Sequence, residues 1–242
     1  EIKNNDFFIK KHGSKKNTII ITGEVFDANP ILKVLNESSD KKTFSKDFNS
    51  DLIVNFEKIL SAKNHDLSDF SMVAKIDKGS YKKMNLKGNF SQNEIFEMTL
   101  NTINQNNKSL QVISDRASPF VKNYKFIKGF EGGKLFYDAT ITKKSTNSNL
   151  KISNFKVSKV PALAQLLTLA DLRGISDTLR GDGITFDTFE MKFNSKGNLM
   201  KIEEAYAAGP AVSIMLDGYI EKNKLVSLRG TLVPARTLNS II

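Results

Sequence analysis

Apolar and polar residues alternate at period two along most of the chain, which predicts strands with one buried or ligand-facing side. Ile19, Ile21, Gly23 and Val25 share one side of a first strand, and Leu52, Val54 and Phe56 share a side of another. Met72, Ala74 and Ile76 lead through the turn residues Asp77-Lys78-Gly79-Ser80 into Met84, Leu86, Gly88 and Phe90. Phe96, Met98 and Leu100 then face Leu110 and Val112 across the polar hairpin Asn104-Gln105-Asn106-Asn107, so the pattern is a meander. Gly132-Gly133 reads as a glycine hairpin turn before Leu135, Tyr137, Ala139 and Ile141. Strands resume with Ile184 and Phe186, then Phe189, Met191 and Phe193. Val212, Ile214, Leu216, Gly218 and Ile220 finally align with Val226, Leu228, Gly230 and Leu232. An interior glycine in a strand marks a bend, a bulge or a close approach, so Gly218 and Gly230 are expected to set curvature.

Two segments break the alternation. Asp27-Ala28-Asn29-Pro30 offers a helix cap with proline in the first turn, and Ile31, Leu32, Val34 and Leu35 supply an apolar face. From Pro161, Leu163, Leu166, Leu167 and Ala170, then Leu172, Ile175 and Leu179, follow three-and-four spacing, with Gly174 expected between two short helices.

Composition narrows the classes. A chain of 242 residues with 40% hydrophobic residues can bury a core. It opens at Glu1 instead of Met and is expected to be a piece of a longer protein. No apolar run reaches the roughly 18–20 residues that span a bilayer, and no signal peptide opens the chain. Absence of Cys removes disulfides and thiolate chemistry while leaving the compartment open. The net charge of +10 raises nucleic-acid binding, but only five of the 36 basic residues are Arg, the usual bidentate reader of guanine. The lysines are scattered over strands and turns, where they protect sheet edges or attract anionic lipid headgroups. No nucleic-acid partner is expected.

Catalytic chemistry finds little to stand on. Of the two histidines, His65 sits in the polar turn Asn64-His65-Asp66 and His12 among lysines; both read as surface residues. Gly129-Phe130-Glu131-Gly132-Gly133-Lys134 lacks the spacing of a phosphate loop. Asp182, between Gly181 and Gly183, reads as a turn residue and not a metal ligand, and there is no Gly-x-Ser-x-Gly elbow. Neither enzyme activity, metal nor cofactor is expected.

An ordered set of short motifs carries a family resemblance. Val160-Pro161-Ala162-Leu163-Ala164-Gln165-Leu166-Leu167-Thr168-Leu169 is followed by Gly181-Asp182-Gly183-Ile184-Thr185-Phe186, Ala207-Ala208-Gly209-Pro210-Ala211 and Gly230-Thr231-Leu232-Val233-Pro234-Ala235, with Leu238-Asn239 after them. Together, across Phe155 to Asn239, they resemble the C-terminal region of the AsmA-like family of Gram-negative envelope proteins, of the YhdP and TamB type. Ser118-Pro119 stands where the family pattern has a glycine. The resemblance implies a periplasmic protein anchored in the inner membrane through its parent chain. It further implies a link to phospholipid movement between the membranes.

The fold expected is mainly β: a long, twisted antiparallel sheet curved into a groove, β-taco-like, with short helices near 28–36 and 161–180. Residues 1–149 form the first part of an elongated sheet, and residues 150–242 an AsmA-like C-terminal β module with a helical insert. The function expected is shielding of phospholipid acyl chains in that groove. Phe189, Met191, Phe193, Val212, Ile214, Leu216, Val226, Leu228 and Leu232 would form the lipid-facing side. Periodicity alone is equally compatible with a closed core at each position. The alternative function is a non-enzymatic assembly module for the outer membrane, acting through envelope protein partners.

Overall fold

The computed structural model describes residues 7–12, 17–29, 44–61, 65–91, 93–121, 129–169, 173–221 and 225–234. The chain divides into two compact units, Glu1–Ser114 and Asp115–Ile242, both mainly β. The boundary expected at 149/150 falls inside a strand of the second unit, Thr146–Ser158.

In the first unit β1 (Phe7–His12), β2 (Thr18–Asp27), β3 (Ser50–Leu60), β4 (Leu67–Asp77), β5 (Ser80–Ser91), β6 (Glu94–Thr102) and β7 (Lys108–Ser114) are neighbours in chain order. Every pair is antiparallel except β2–β3, which is parallel. The sheet is therefore mixed, a correction to the all-antiparallel expectation. Parallel neighbours need a crossover of about a dozen residues or more, and residues 28–49 supply it. The helix expected over 28–36 lies, beyond its first two residues, outside the described residues.

Register converts the alternation into a face, because directly paired residues point to the same side of a sheet. Ile21 pairs Val54, which continues through Met72, Leu86 and Met98 to Val112. One turn of the pleat away, Leu52 continues through Ala74, Met84 and Leu100 to Leu110. Val54, Phe56, Ile59 and Leu67 form a buried cluster, with the Phe26 ring tilted against that of Phe56 at 5.2 Å. Lys78 (φ 51°) and Gly79 (φ 67°) form the tight hairpin that the turn residues predict. Asn104 Oδ1 accepts from the Asn106 and Asn107 amides, both at 3.0 Å, to close the next hairpin.

His65 departs from its surface reading: it is buried, and its carbonyl accepts the Ser61 hydroxyl. Asp66 beside it accepts the Ser61 amide at 3.1 Å, so this polar turn is folded in against the ends of β3 and β4.

The second unit runs α1 (Ser118–Val121), β8 (Gly129–Ile141), β9 (Thr146–Ser158), α2 (Pro161–Leu169), α3 (Arg173–Arg180), β10 (Ile184–Lys196), β11 (Leu199–Ala208), β12 (Val212–Glu221) and β13 (Leu225–Pro234). Its strands form an antiparallel meander in chain order, unclosed, with β8 and β13 unpaired to each other. Gly174 lies inside α3 and not between the helices.

Gly132-Gly133 is likewise not a hairpin turn but a kink within β8, at φ 69° and 84°, across which the pairing with β9 keeps its register. Asn154 opposite also adopts a positive φ of 55°, so both strands deform together. The reason lies in the residue just before α1. The Gly133 carbonyl accepts the Ala117 amide at 2.8 Å, and a Cβ on Gly133 would stand 3.1 Å from that of Ala117. Two glycines let the strand kink and admit that close approach.

The open apolar face of the second unit

Alternation places Phe189, Met191 and Phe193 on one side of β10, and pairing carries that side across the unit. Phe189 continues through Ala207 and Ile214 to Leu232; Met191 through Ala205 and Leu216 to Gly230; Phe193 through Ile202 and Gly218 to Leu228. Val212 pairs Pro234, and Val226 pairs Ile220. All nine residues singled out from the sequence thus share one face of β10–β13.

Their surroundings differ along that face. Val212 is fully enclosed, at 0% exposure, so it is core and offers no lipid-facing surface, a correction to its expected role. Val226 at 60% and Leu228 at 43% are open to solvent. Phe189, Met191, Phe193, Ile214, Leu216 and Leu232 are half-buried.

The same face extends over two strands that the sequence reading did not join to the site. Leu135 pairs Ile152, which pairs Phe189, and Tyr137 pairs Leu150, which pairs Met191. Tyr137 stands 6.5 Å from Phe193, ring to ring, while its hydroxyl meets the Ser148 hydroxyl at 2.9 Å. Only a register shows this. Each strand's alternation marks two faces, and nothing in one strand says which face matches that of its neighbour.

Aromatic stacking and a helix pair close one end of the face. Phe155 stacks on Phe130 at 5.3 Å and on Phe186 at 5.4 Å, both at 15° between planes, and all three are buried. Such offset pairs each add about 0.5–1.5 kcal/mol beyond area burial. Over this end α3 packs against β9 and β10, and α2 packs on α3. Leu167 and Leu179 are wholly enclosed, as the three-and-four spacing predicts for an inward stripe. Buried Ser176 donates to the Ala164 carbonyl at 3.1 Å and meets the Thr168 hydroxyl at 3.2 Å, tying the two helices together. The Lys159 amide donates to the Leu179 carbonyl at 3.0 Å, fastening α3 to the end of β9. Gly181 and Gly183 donate to Asp177 and Thr178 carbonyls, so the Gly-Asp-Gly turn is the C-terminal cap of α3.

The opposite face is mixed: Phe136, Tyr206, Met215, Tyr219 and Leu225 are exposed on it, among charged and polar pairs. Lys151 and Glu190 pair at 2.7 Å across β9–β10, and Asn149 donates to Asp138 at 2.8 Å. Arg229 grips both oxygens of Asp217 across β12–β13, at 2.8 and 3.1 Å from Nε and 2.8 Å from an Nη. That hydrogen bonding holds the Asp217 carboxyl below the usual carboxylate value, the nearby positive charge adding to it.

A bulge in β11 around Glu203 bends the sheet beneath the apolar face, shifting the register with β10 at Lys192/Phe193 and with β12 between Ile202 and Ala205. Gly218 lies beside it, at φ 143°, and a Cβ there would stand 2.1 Å from the Ser227 carbonyl oxygen. Gly218→Val is therefore expected to destabilise this unit by at least about 1–3 kcal/mol. Urea unfolding followed by circular dichroism measures it, and an unchanged midpoint would show that the backbone relaxes freely.

Among the described residues no cluster of three or more His, Asp or Glu side chains gathers as metal ligands, and no helix is long and apolar enough to cross a membrane. Compared with protein-family models, curated proteins and solved structures, the chain gives no match.

Proposed function

We propose that the second unit binds and shields phospholipid acyl chains on its apolar face, as part of a periplasmic lipid-transport protein of AsmA-like type anchored in the inner membrane. The observation that carries this reading is a continuous apolar face, in register from β8 to β13, that passes from a buried aromatic end to half-exposed and open positions. A closed core has no reason to leave Leu228 and Val226 in water beside Gly218 and Ile220. The ordered motifs from Val160 to Asn239 supply the link to the envelope family.

The energetics suit a non-enzymatic role. Burying a CH₂ group is worth about 0.8 kcal/mol, so an acyl chain of roughly 16 carbons loses on the order of 13 kcal/mol of hydrophobic stabilisation in water. A surface of Phe, Met, Leu and Ile offsets much of that without bond chemistry. The opposite face carries the ion pairs Lys151–Glu190 and Arg229–Asp217, which keep that side of the sheet hydrated.

Native mass spectrometry of the chain purified from a Gram-negative host tests the proposal. Adducts with phospholipid masses are expected, and organic extraction should release diacyl lipid in near-stoichiometric amount. A chain that carries no phospholipid, even after incubation with vesicles, would overturn it.

A further inference from the structure

Among the described residues β13 has one strand neighbour, β12, and Leu225 to Thr231 are exposed one after another. An edge of this kind presents a row of backbone donors and acceptors, and proteins usually blunt it with Lys, inward charges, Pro or a bulge. Here Arg229 is the sole charged residue of the strand, already held by Asp217, and Pro234 comes only at the end. Its pairing with β12 runs without a register shift.

The order of residues along β13 is nearly the same in both directions about Arg229. Leu225-Val226-Ser227-Leu228 on one side is answered by Gly230-Thr231-Leu232-Val233 on the other. We infer that β13 pairs antiparallel with β13 of a second copy of this chain, the two-fold axis passing through Arg229. In that register Val226 meets Leu232 of the other copy and Ser227 meets its Thr231. Leu228 lies over its Gly230, large against small.

Antiparallel neighbours related by a two-fold axis perpendicular to the sheet keep the same face on the same side. The apolar faces of both copies therefore join, and the opposite faces also join. At the axis the two Arg229 side chains oppose each other, each with its own Asp217 carboxylate, so the centre holds two ion pairs and not two bare cations. A single strand pair falls below the roughly 1,200 Å² of specific stable complexes, so the association is weak and concentration-dependent.

The chain has no cysteine, which makes the test direct. Arg229→Cys on the axis should form a disulfide-linked dimer under mild oxidation at least tenfold faster than Ser227→Cys or Tyr219→Cys, which lie off it. Directly paired residues, about 4.5–5.5 Å apart between Cα atoms, suit a disulfide. Sedimentation velocity of the unmodified chain should show mass rising from 27.0 kDa toward twice that value with concentration. Val226→Lys with Leu228→Lys, both at exposed positions, should keep the circular dichroism spectrum and abolish the rise. Constant monomer mass with equal crosslinking at all three cysteines would overturn the inference, as would a dimer that survives the two lysines. None of these readouts depends on bound lipid.

Discussion

Leu167→Asp is expected to unfold the second unit, and Leu167→Ala to cost it about 2–5 kcal/mol. Leu167 is fully enclosed between α2 and its surroundings, at 0% exposure, so truncation leaves a cavity and a carboxylate there has no solvent. An unpaired buried charge adds several kcal/mol to the lost burial. Domains are stable by only about 5–15 kcal/mol, so the Asp variant removes most of the margin. Urea unfolding measures both effects. With a slope of about 1–3 kcal/mol per molar urea, the Ala variant should lower the midpoint by roughly 1–2 M. A midpoint unchanged by Leu167→Ala would mean that α2 is not packed as described. The result bears on function as well, because Leu167 and Leu179 turn inward at the buried end of the face.

The second large effect is on lipid. Phe193→Asn, Ile214→Asn and Leu228→Asn together are expected to reduce bound phospholipid about 100-fold while the unit remains folded. Each residue lies on the half-buried or open part of the apolar face, so each contributes an estimated 1 kcal/mol of contact with a chain lying there. A tenfold change in affinity corresponds to about 1.4 kcal/mol, so three such losses approach two orders of magnitude. Glu190→Gln with Lys192→Gln, on the opposite face of the same strand β10, is the comparison and should leave lipid unchanged. Extracted lipid per mole of protein is the measurement. Equal loss from both sets would indicate general destabilisation, and no loss from the first set would show that the apolar face does not hold lipid.

Much of this architecture was legible before any coordinates. Strands such as Met84–Phe90 and Phe189–Phe193 alternate so regularly that a half-buried strand is the one element that satisfies them. The stripe from Leu163 to Leu179 demanded a helical period for the same reason. The turn at Asp77–Ser80 and the asparagine hairpin at 104–107 were named by residues that tolerate or cap positive φ.

Other features were not local enough to read. The two glycines at 132 and 133 look identical as a turn and as a kink within a strand, and the choice came from Ala117, a residue whose approach depends on a separate segment. His65 has polar neighbours in sequence, yet its turn folds against the strand ends and buries it. The parallel pairing of β2 with β3 depends on how a crossover returns, not on either strand's pattern. Val212 carries the same alternation as Ile214, but only the former is sealed off.

By itself, then, the sequence determined which residues along each strand share a side, where the helices interrupt the sheet, and that the chain is mainly β. Those properties follow from backbone geometry within a few residues. Tertiary structure decided which sides meet to make one apolar face, which end of it is closed by α2, α3 and stacked phenylalanines, and which residues remain open. These depend on register and on packing between segments tens of residues apart, where the sum of many weak contacts selects one arrangement among several that the local pattern allows equally.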